Sequence, residues 1–461
     1  MAASGARTGA AAFTEIFSEV AAACDGQTLV AAAVTPLLQT HPALRADAAT
    51  QIAARPRVLA LGKAAAPMLR GLCAAAGDAW GQGLVIAPAA RAPAPAELPP
   101  GFELILGEHP HPGPGSARAG LAALHLVAGL APGDPLIVLL SGGGSALACL
   151  PAAGLGLDDK RAAVAAVAAA AASIGELNTL RKHLSAIKGG QLGRLARGPV
   201  LVLALSDVVG DDPGTIASGP FSPDPTTYAD ALAVLAARSS VATSPALAPV
   251  AAHLTAGRHG TRPETPKPGA GWEHVDYRVI AGPDHVIAAA ERSIAGRGLR
   301  PVPLLRNTTA DVGALADIYL QHVGQLVADG TADDAAVFIA NGEPSIDLSR
   351  LAPGRAPGKG GRATHLALLV ARGLARLAAN APDLKARFLA AGTDDRDGSG
   401  DASGALVDET SWNRALAAGL DPQAALDRFD SATLLDACGC LVRGPGTSNL
   451  LDLHLLAAGR R

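Results

Sequence analysis

Short runs that are apolar at every position, each ending in glycine, serine or aspartate, constrain this chain more than any other feature. Arg57-Val-Leu-Ala-Leu61 runs into Gly62-Lys63, Leu136-Ile-Val-Leu-Leu140 into Ser141-Gly-Gly-Gly-Ser145, and Val200-Leu-Val-Leu-Ala-Leu205 into Ser206-Asp207. Gly83-Leu-Val-Ile-Ala87 is a further run. Unbroken apolarity suits strands buried on both faces, as in a parallel sheet between helical layers; a strand with one wet face would alternate. Alanine-rich stretches such as Asp158 to Ile174 are long enough for the crossover helices such a sheet needs.

The pattern breaks at Ala256 to His274, where three prolines and four glycines read as a linker or long loop. It then resumes: Tyr277 to Ala281 precedes Gly282-Pro-Asp284, Val337 to Ala340 precedes Asn341-Gly342-Glu343, and Phe388 to Ala391 precedes Gly392-Thr-Asp394. Leu441-Val442 precedes Arg443-Gly-Pro-Gly446. A chain of 461 residues accommodates two or three domains at ~150 residues each. The expected fold is therefore α/β, with two Rossmann-like domains (1–260 and 261–461) of mainly parallel sheets covered by helices. A final helix is free to pack back on the first domain. Ligands of open parallel sheets bind beyond the C-terminal strand ends, and those ends carry nearly all the unusual polar residues here. That places the expected active site in the interdomain cleft.

Charge and cysteine usage narrow the function. Thirty-eight basic residues against 41 acidic ones give a net charge of −3, and aromatics are 3%. A balanced chain without basic blocks is poorly equipped to neutralise phosphate backbones, so no nucleic-acid partner is expected. Hydrophobic residues reach 49%, yet the longest apolar stretch, Ala162 to Gly175, is mostly alanine and shorter than the ~20 residues a bilayer requires. No membrane span is expected, and Met1 to Ala12 lacks the apolar core of a secretory signal. Five scattered cysteines do not make a disulfide framework, and Cys438-Gly-Cys440 has neither zinc nor thioredoxin spacing. Buried thiols in a cytoplasmic protein are the expectation.

The strongest chemical motif is Ser141-Gly142-Gly143-Gly144-Ser145. Three glycines at a strand end let backbone N–H groups approach an anion, and a following helix would add its dipole. The loop fails the dinucleotide fingerprint at Leu147, and Gly358-Lys359-Gly360 lacks the serine or threonine of a Walker A loop. Lys63 sits where a point cation could offset phosphate charge. Asn178, Arg181, Ser185 and Lys188 are spaced to share one helical face; that face is either simply solvated or binds a carboxylate or phosphate through the arginine fork. Acids cluster after two strands, at Asp207, Asp211 and Asp212 and at Asp394, Asp395 and Asp397. Turn capping and Mg²⁺ ligation are both open to them. His109-Pro-His111 reads as a structural loop, because a following proline holds each histidine in extended backbone. Gly358 to Arg362 opens a predicted helix, Ala363 to Ala379, and reads as an anion site or a hinge.

Taken in order along the chain, these stretches resemble one family, the type II glycerate 2-kinases (the MOFRL family, often named hydroxypyruvate reductases). The resemblance is carried by Leu61-Gly-Lys-Ala-Ala65, Gly107-Glu-His-Pro-His-Pro112, Leu140-Ser-Gly-Gly-Gly-Ser-Ala146 and Leu177 to Gly190. Leu205 to Pro213, Ile216-Ala-Ser-Gly-Pro220 and Glu264-Thr-Pro-Lys-Pro-Gly269 add to it, with Gly342-Glu343-Pro344, Gly358 to Arg362 and Gly392-Thr-Asp394 beyond. It implies two Rossmann-like domains and ATP-dependent, Mg²⁺-assisted phosphorylation of the 2-hydroxyl of D-glycerate. The family's catalytic lysine and arginine fall on Lys63 and Arg362. On this reading Ser141 to Ser145 and Lys188 hold nucleotide phosphates, and Asn178, Arg181 and Glu343 bind the acid. Asp207 and Asp394 are the metal ligands, Asp207 serving alternatively as general base.

Two departures bear on the substrate. Ala363-Thr364-His365 stands where the family has Asn-Gln-Glu, and Asp395-Arg396 follows Gly392-Thr-Asp394 where a glycine is usual. Both are expected at the cleft, leaving a longer or differently charged hydroxy acid open. An NAD(P)H-dependent hydroxypyruvate reductase and a non-catalytic binder are the competing readings. The partners expected are a small hydroxy acid and a nucleotide, and a homodimer is one open assembly.

Overall fold

The computed structural model describes residues 9–44, 55–77, 80–238, 244–351, 354–444 and 446–460. It divides into two compact units, one of Gly26–Ile280 and one of Met1–Asp25 with Ala281–Arg461.

In the first unit the apolar runs form a six-stranded sheet: β1 (Arg57–Leu61), β2 (Gly83–Pro88), β3 (Phe102–Gly107), β4 (Leu136–Leu140), β5 (Val200–Leu205) and β6 (Val275–Ala281). The strand order is β3-β2-β1-β4-β5-β6. The pairs β2–β3, β1–β2, β1–β4 and β4–β5 are all parallel. This is the Rossmann order, and its switch point lies between β1 and β4, where the winding direction reverses. Leu61 is in register with Leu140, so the polar turns that end these two strands are neighbours. The core beneath them joins Leu59 and Leu61 with Val138 and Leu140, and Val202 with Ala123 and Val127 of the helix Pro114–Ala128. All are buried, and each large aliphatic side chain contributes about 1.5–3 kcal/mol by leaving water.

The segment 256–274, expected as a linker, is built into this unit. Glu264 Oε1 accepts from the Tyr228 N–H at 2.9 Å, and Thr265 Oγ1 donates to buried Asp224 at 2.9 Å. Trp272 Nε1 donates to the Lys267 carbonyl at 3.0 Å.

The second unit carries β7 (Arg300–Thr308), β8 (Ala336–Gly342), β9 (Leu384–Asp394), β10 (Gly404–Asp408), β11 (Leu441–Val442) and β12 (Thr447–Arg460), ordered β11-β10-β9-β12-β8-β7. Here the expectation of a mainly parallel sheet is corrected. Only β7–β8 is parallel; β8–β12, β9–β12, β9–β10 and β10–β11 are antiparallel. The final element is likewise a strand and not a helix. Leu450 to Ala458 is buried throughout because β12 lies between β8 and β9. Continuous apolarity reports burial on two faces; it carries no information about strand direction.

Within β12, buried His454 lies 2.8 Å from Tyr319 Oη through Nδ1, while Nε2 has no partner among the described residues. Burial lowers its pKa to about 4; nearby Asp452 opposes the shift and Arg362 reinforces it. An unfolded histidine protonates near its ordinary value of about 6.5, whereas this one resists until about 4. Stability from this group is therefore full above that ordinary value and lost as pH falls through the window, at about 1.4 kcal/mol per pH unit. Urea midpoints measured from pH 7 to 4.5 should fall less steeply in His454→Phe than in the wild type. Equal slopes would exclude His454 as a cause.

Among the described residues no single helix is long and apolar enough to cross a membrane, and all five cysteines are free.

Candidate functional site

The turns after β1 and β4 interlock at the switch point. Ser141 N donates to the Leu61 carbonyl at 3.0 Å, Lys63 N to the Gly142 carbonyl at 2.9 Å, and Ala64 N to Ser141 Oγ at 3.0 Å. Gly62 has φ +134°, and a Cβ there would overlap Ser141. Only glycine lets the two turns approach this closely. Gly143, at φ +81°, faces the Lys63 stem and the His109 ring, whose nearest atoms lie 3.2 and 3.1 Å from where its Cβ would be. Within this interlocked loop the N–H groups of Gly142 and Gly143 donate to no atom among the described residues. The result is a glycine-lined turn beside the half-buried Lys63.

One expectation about this loop changes, and one further residue joins it. The helix that follows spans only Gly144–Leu147, a single turn with little dipole to offer. His109, read as part of a structural loop, places its ring against the loop. Its pKa is lowered to about 4 by desolvation first and by Lys63 and His111 second, so the ring is neutral at pH 7.

Behind the loop runs a polar line. Ser145 Oγ is 2.8 Å from Ser218 Oγ, Ser218 Oγ donates to Asn178 Oδ1 at 3.0 Å, and Arg181 reaches the same oxygen at 3.4 Å. The helix carrying Asn178 and Arg181 is Ile174–His183. It ends before Ser185 and Lys188, so the four residues do not share one helical face. Ser185 instead forms an isolated bridge with Pro151 and donates to the Leu150 carbonyl. Lys188 is buried and donates to the carbonyls of Ser145 at 2.9 Å and Ala148 at 3.1 Å, bolting the loop from behind. Ser218 was not singled out by itself, although Ile216 to Pro220 is a motif stretch. Ala217 and Ser218 both adopt positive φ, +52° and +61°, costing about 1–3 kcal/mol each and marking a turn held for a purpose. Asp207 follows β5 and is half-buried.

In the second unit Arg362 opens the helix Arg362–Asn380. Its Nε and Nη2 donate to Asp452 at 2.7 and 3.1 Å, and Nη1 donates to Glu343 at 2.8 Å. Burial lowers the guanidinium pKa, but the Asp452 and Glu343 charges outweigh it and raise the pKa overall. Asp452 lies opposite Gly342 of β8 and Gly392 of β9, which brings Glu343 and Asp394 to the same strand ends. A Cβ on Gly392 would lie 2.8 Å from Asp394 Oδ1 and 3.3 Å from Asp452 Oδ1. The two carboxylates thus flank a space that a larger residue would fill. Asp452 had no local sequence signature.

The glycine-rich entry to this helix is not open to an outside anion at its first N–H groups. Asp397 accepts from Gly361 N and Ala363 N at 3.0 Å, from Thr364 N at 2.7 Å and from Thr364 Oγ1 at 2.6 Å. The anion at this helix start is the protein's own carboxylate. Ala363, Thr364 and His365 are all buried. His365 bonds Ser431 Oγ at 3.0 Å and stacks on Phe429 at 4.8 Å. Among the described residues no group of three or more histidines, cysteines or carboxylates is arranged to hold a metal. Mg²⁺ takes one or two carboxylates beside waters and phosphate oxygens, so Asp207 and Asp394 each suit it singly where a closed cage is lacking.

A Rossmann sheet with a glycine-rich turn and a lysine at its switch point, together with a mixed-sheet unit carrying an arginine–carboxylate cluster, defines a two-unit α/β protein. The chain matches the family model "Domain of unknown function (DUF4147)" over residues 12–254 and the MOFRL family model over residues 336–452. It is 38% identical over 421 residues to an Agrobacterium vitis protein named as a hydroxypyruvate reductase, covering 88% of each chain. It is 31% identical over 407 residues to the D-glycerate 2-kinase of Thermotoga maritima, covering 86% of this chain and 89% of that one. The crystal structure of a Thermotoga maritima glycerate kinase superposes with a TM-score of 0.78 at 28% identity, covering 97% of this chain and 98% of that chain. The chain belongs to the MOFRL family.

Proposed function

We propose that this protein is an ATP-dependent kinase that phosphorylates the 2-hydroxyl of D-glycerate to give 2-phosphoglycerate. The likeness to the Thermotoga maritima D-glycerate 2-kinase supports the reading. The observation that carries it is the interlocked pair of turns holding Lys63 beside the triglycine loop at the switch point. Phosphoryl transfer passes through a loose transition state and is accelerated mainly by positioning and charge stabilisation. Ser141 to Ser145 hold the phosphates by backbone N–H groups, with Lys63 offsetting their charge. Asn178 and Arg181 take the acid's carboxylate. Arg362, positioned by Asp452 and Glu343, is the catalytic arginine. Asp207 and Asp394 are the residues that would hold Mg²⁺, which when bound neutralises phosphate charge. Five free thiols accord with a cytoplasmic enzyme.

The reductase name of the Agrobacterium vitis relative keeps a second reading in view. A nicotinamide enzyme of this strand order carries three spaced glycines in the turn after β1; here that turn reads Gly62-Lys63-Ala64-Ala65-Ala66-Pro67. Incubating the purified chain with ATP, Mg²⁺ and D-glycerate should yield ADP and a 2-phosphoryl ester visible by ³¹P NMR. NADH oxidation with hydroxypyruvate, in place of that product, would overturn the assignment.

A further inference from the structure

The first unit buries three cations that meet no carboxylate among its described residues. Lys160, on the helix Leu157–Ala169, is 3% exposed, and its Nζ has no hydrogen-bond partner among the described residues. Lys188 is 2% exposed and bonds only carbonyl oxygens; half-buried Arg181 bonds only Asn178. Among the described residues none of these three cations forms an ion pair. The three interact electrostatically with one another and with buried Cys149. Burial lowers Lys160 to about 8 and Lys188 to about 7; the neighbouring cations add to both shifts and Cys149 opposes them.

Such a cluster opposes folding. Each buried ion carries a desolvation cost of several kcal/mol unless a counter-charge offsets it. Asp158 and Asp159 precede Lys160 in sequence, yet Lys160 is buried while Asp158 is exposed and Asp159 accepts from Gly156 N. Sites that sacrifice stability in this way are those shaped for a ligand. A small anion beside these cations would offset their charge, and the Asn178–Ser218–Ser145 line that Arg181 joins offers it neutral hydrogen-bonding groups.

We propose that Lys160, with Lys188 and Arg181, forms a subsite for a small carboxylate or phosphate group, and that Lys160 supplies its buried counter-charge. On the kinase reading above, the group is the carboxylate of the acid substrate. Binding requires no turnover, so the subsite and the kinase activity stand or fall separately.

The test is Lys160→Met, which keeps length and removes charge, in the full chain. Calorimetric titration with D-glycerate, without nucleotide, should show affinity weakened at least about tenfold, while the unfolding midpoint holds or rises because an unbalanced charge has gone. Titrations with inorganic phosphate and a non-hydrolysable ATP analogue identify the group: the loss follows D-glycerate if a carboxylate is bound, and phosphate or nucleotide otherwise. Unchanged affinity for all three overturns the subsite and leaves Lys160 a structural group. If binding and midpoint both fall, Lys160→Arg decides; recovered affinity upholds the proposal, and none overturns it.

Discussion

Lys63→Met should lower kcat for phosphoryl transfer by about 10²- to 10³-fold, the scale of losing one preorganised charge donor, with the unfolding midpoint unchanged. The asymmetry follows from how Lys63 is held. Its backbone N–H donates to Gly142 and its stem packs beside Gly143, so main chain and methylenes serve the fold. Methionine preserves the stem. The ammonium is half-buried and joins no ion pair among the described residues, so removing it breaks no structural contact. On the proposed function its work lies in offsetting charge on a bound phosphate, and more so as charge moves in the transition state. ADP release under saturating ATP and D-glycerate measures the effect, with chemical unfolding as the control. Turnover within a few-fold of wild type would remove Lys63 from the machinery and, with it, the assignment of the triglycine loop as the phosphate cradle.

The residues that made this site legible beforehand share one property: their role follows from their nearest neighbours in sequence. An apolar run ending in Gly62-Lys63 or Ser141-Gly-Gly-Gly-Ser145 announces a buried strand and a turn that only backbone can line. β1, β4 and β5 accordingly begin and end where their apolar runs do. What escaped depends on distant pairing. Asp397 reads as one acid in a turn until the helix that begins at Arg362 arrives to be capped by it. Ser218 gains meaning only between Ser145 and Asn178. Lys188 keeps the right distance along a helical projection, but the helix stops at His183, and its ammonium faces carbonyls of the loop it was expected to assist from the front. The direction of β12 was hidden for a related reason. Strands buried on both faces look alike whether parallel or antiparallel, so the mixed sheet that brings Asp452 to Arg362 could not be read from composition along the chain.

Asp452→Asn should lower kcat by about 10- to 100-fold while leaving the KM for ATP within a few-fold, because a fixed charge donor is used most in the transition state. A guanidinium has five N–H donors. Asp452 engages two and Glu343 one, leaving two N–H groups in a plane that Asp452 sets. Asparagine offers one acceptor oxygen and an amide that repels the second N–H, so the fork loses its two-point clamp. The Asp452 side chain is 5% exposed and that of Arg362 27%; the loss of stability should be about 1–3 kcal/mol, reduced from the fully buried case by the arginine's contact with water. Glu343→Gln removes a single bond to a side chain that is 50% exposed and should cost less than about 1 kcal/mol. A purely structural Asp452 would slow the enzyme only as far as it unfolds it, and the double variant separates the two cases. If Asp452 acts through Arg362, then Arg362→Ala with Asp452→Asn turns over no more slowly than Arg362→Ala alone. Multiplied losses in the double variant would show that Asp452 contributes by some other route.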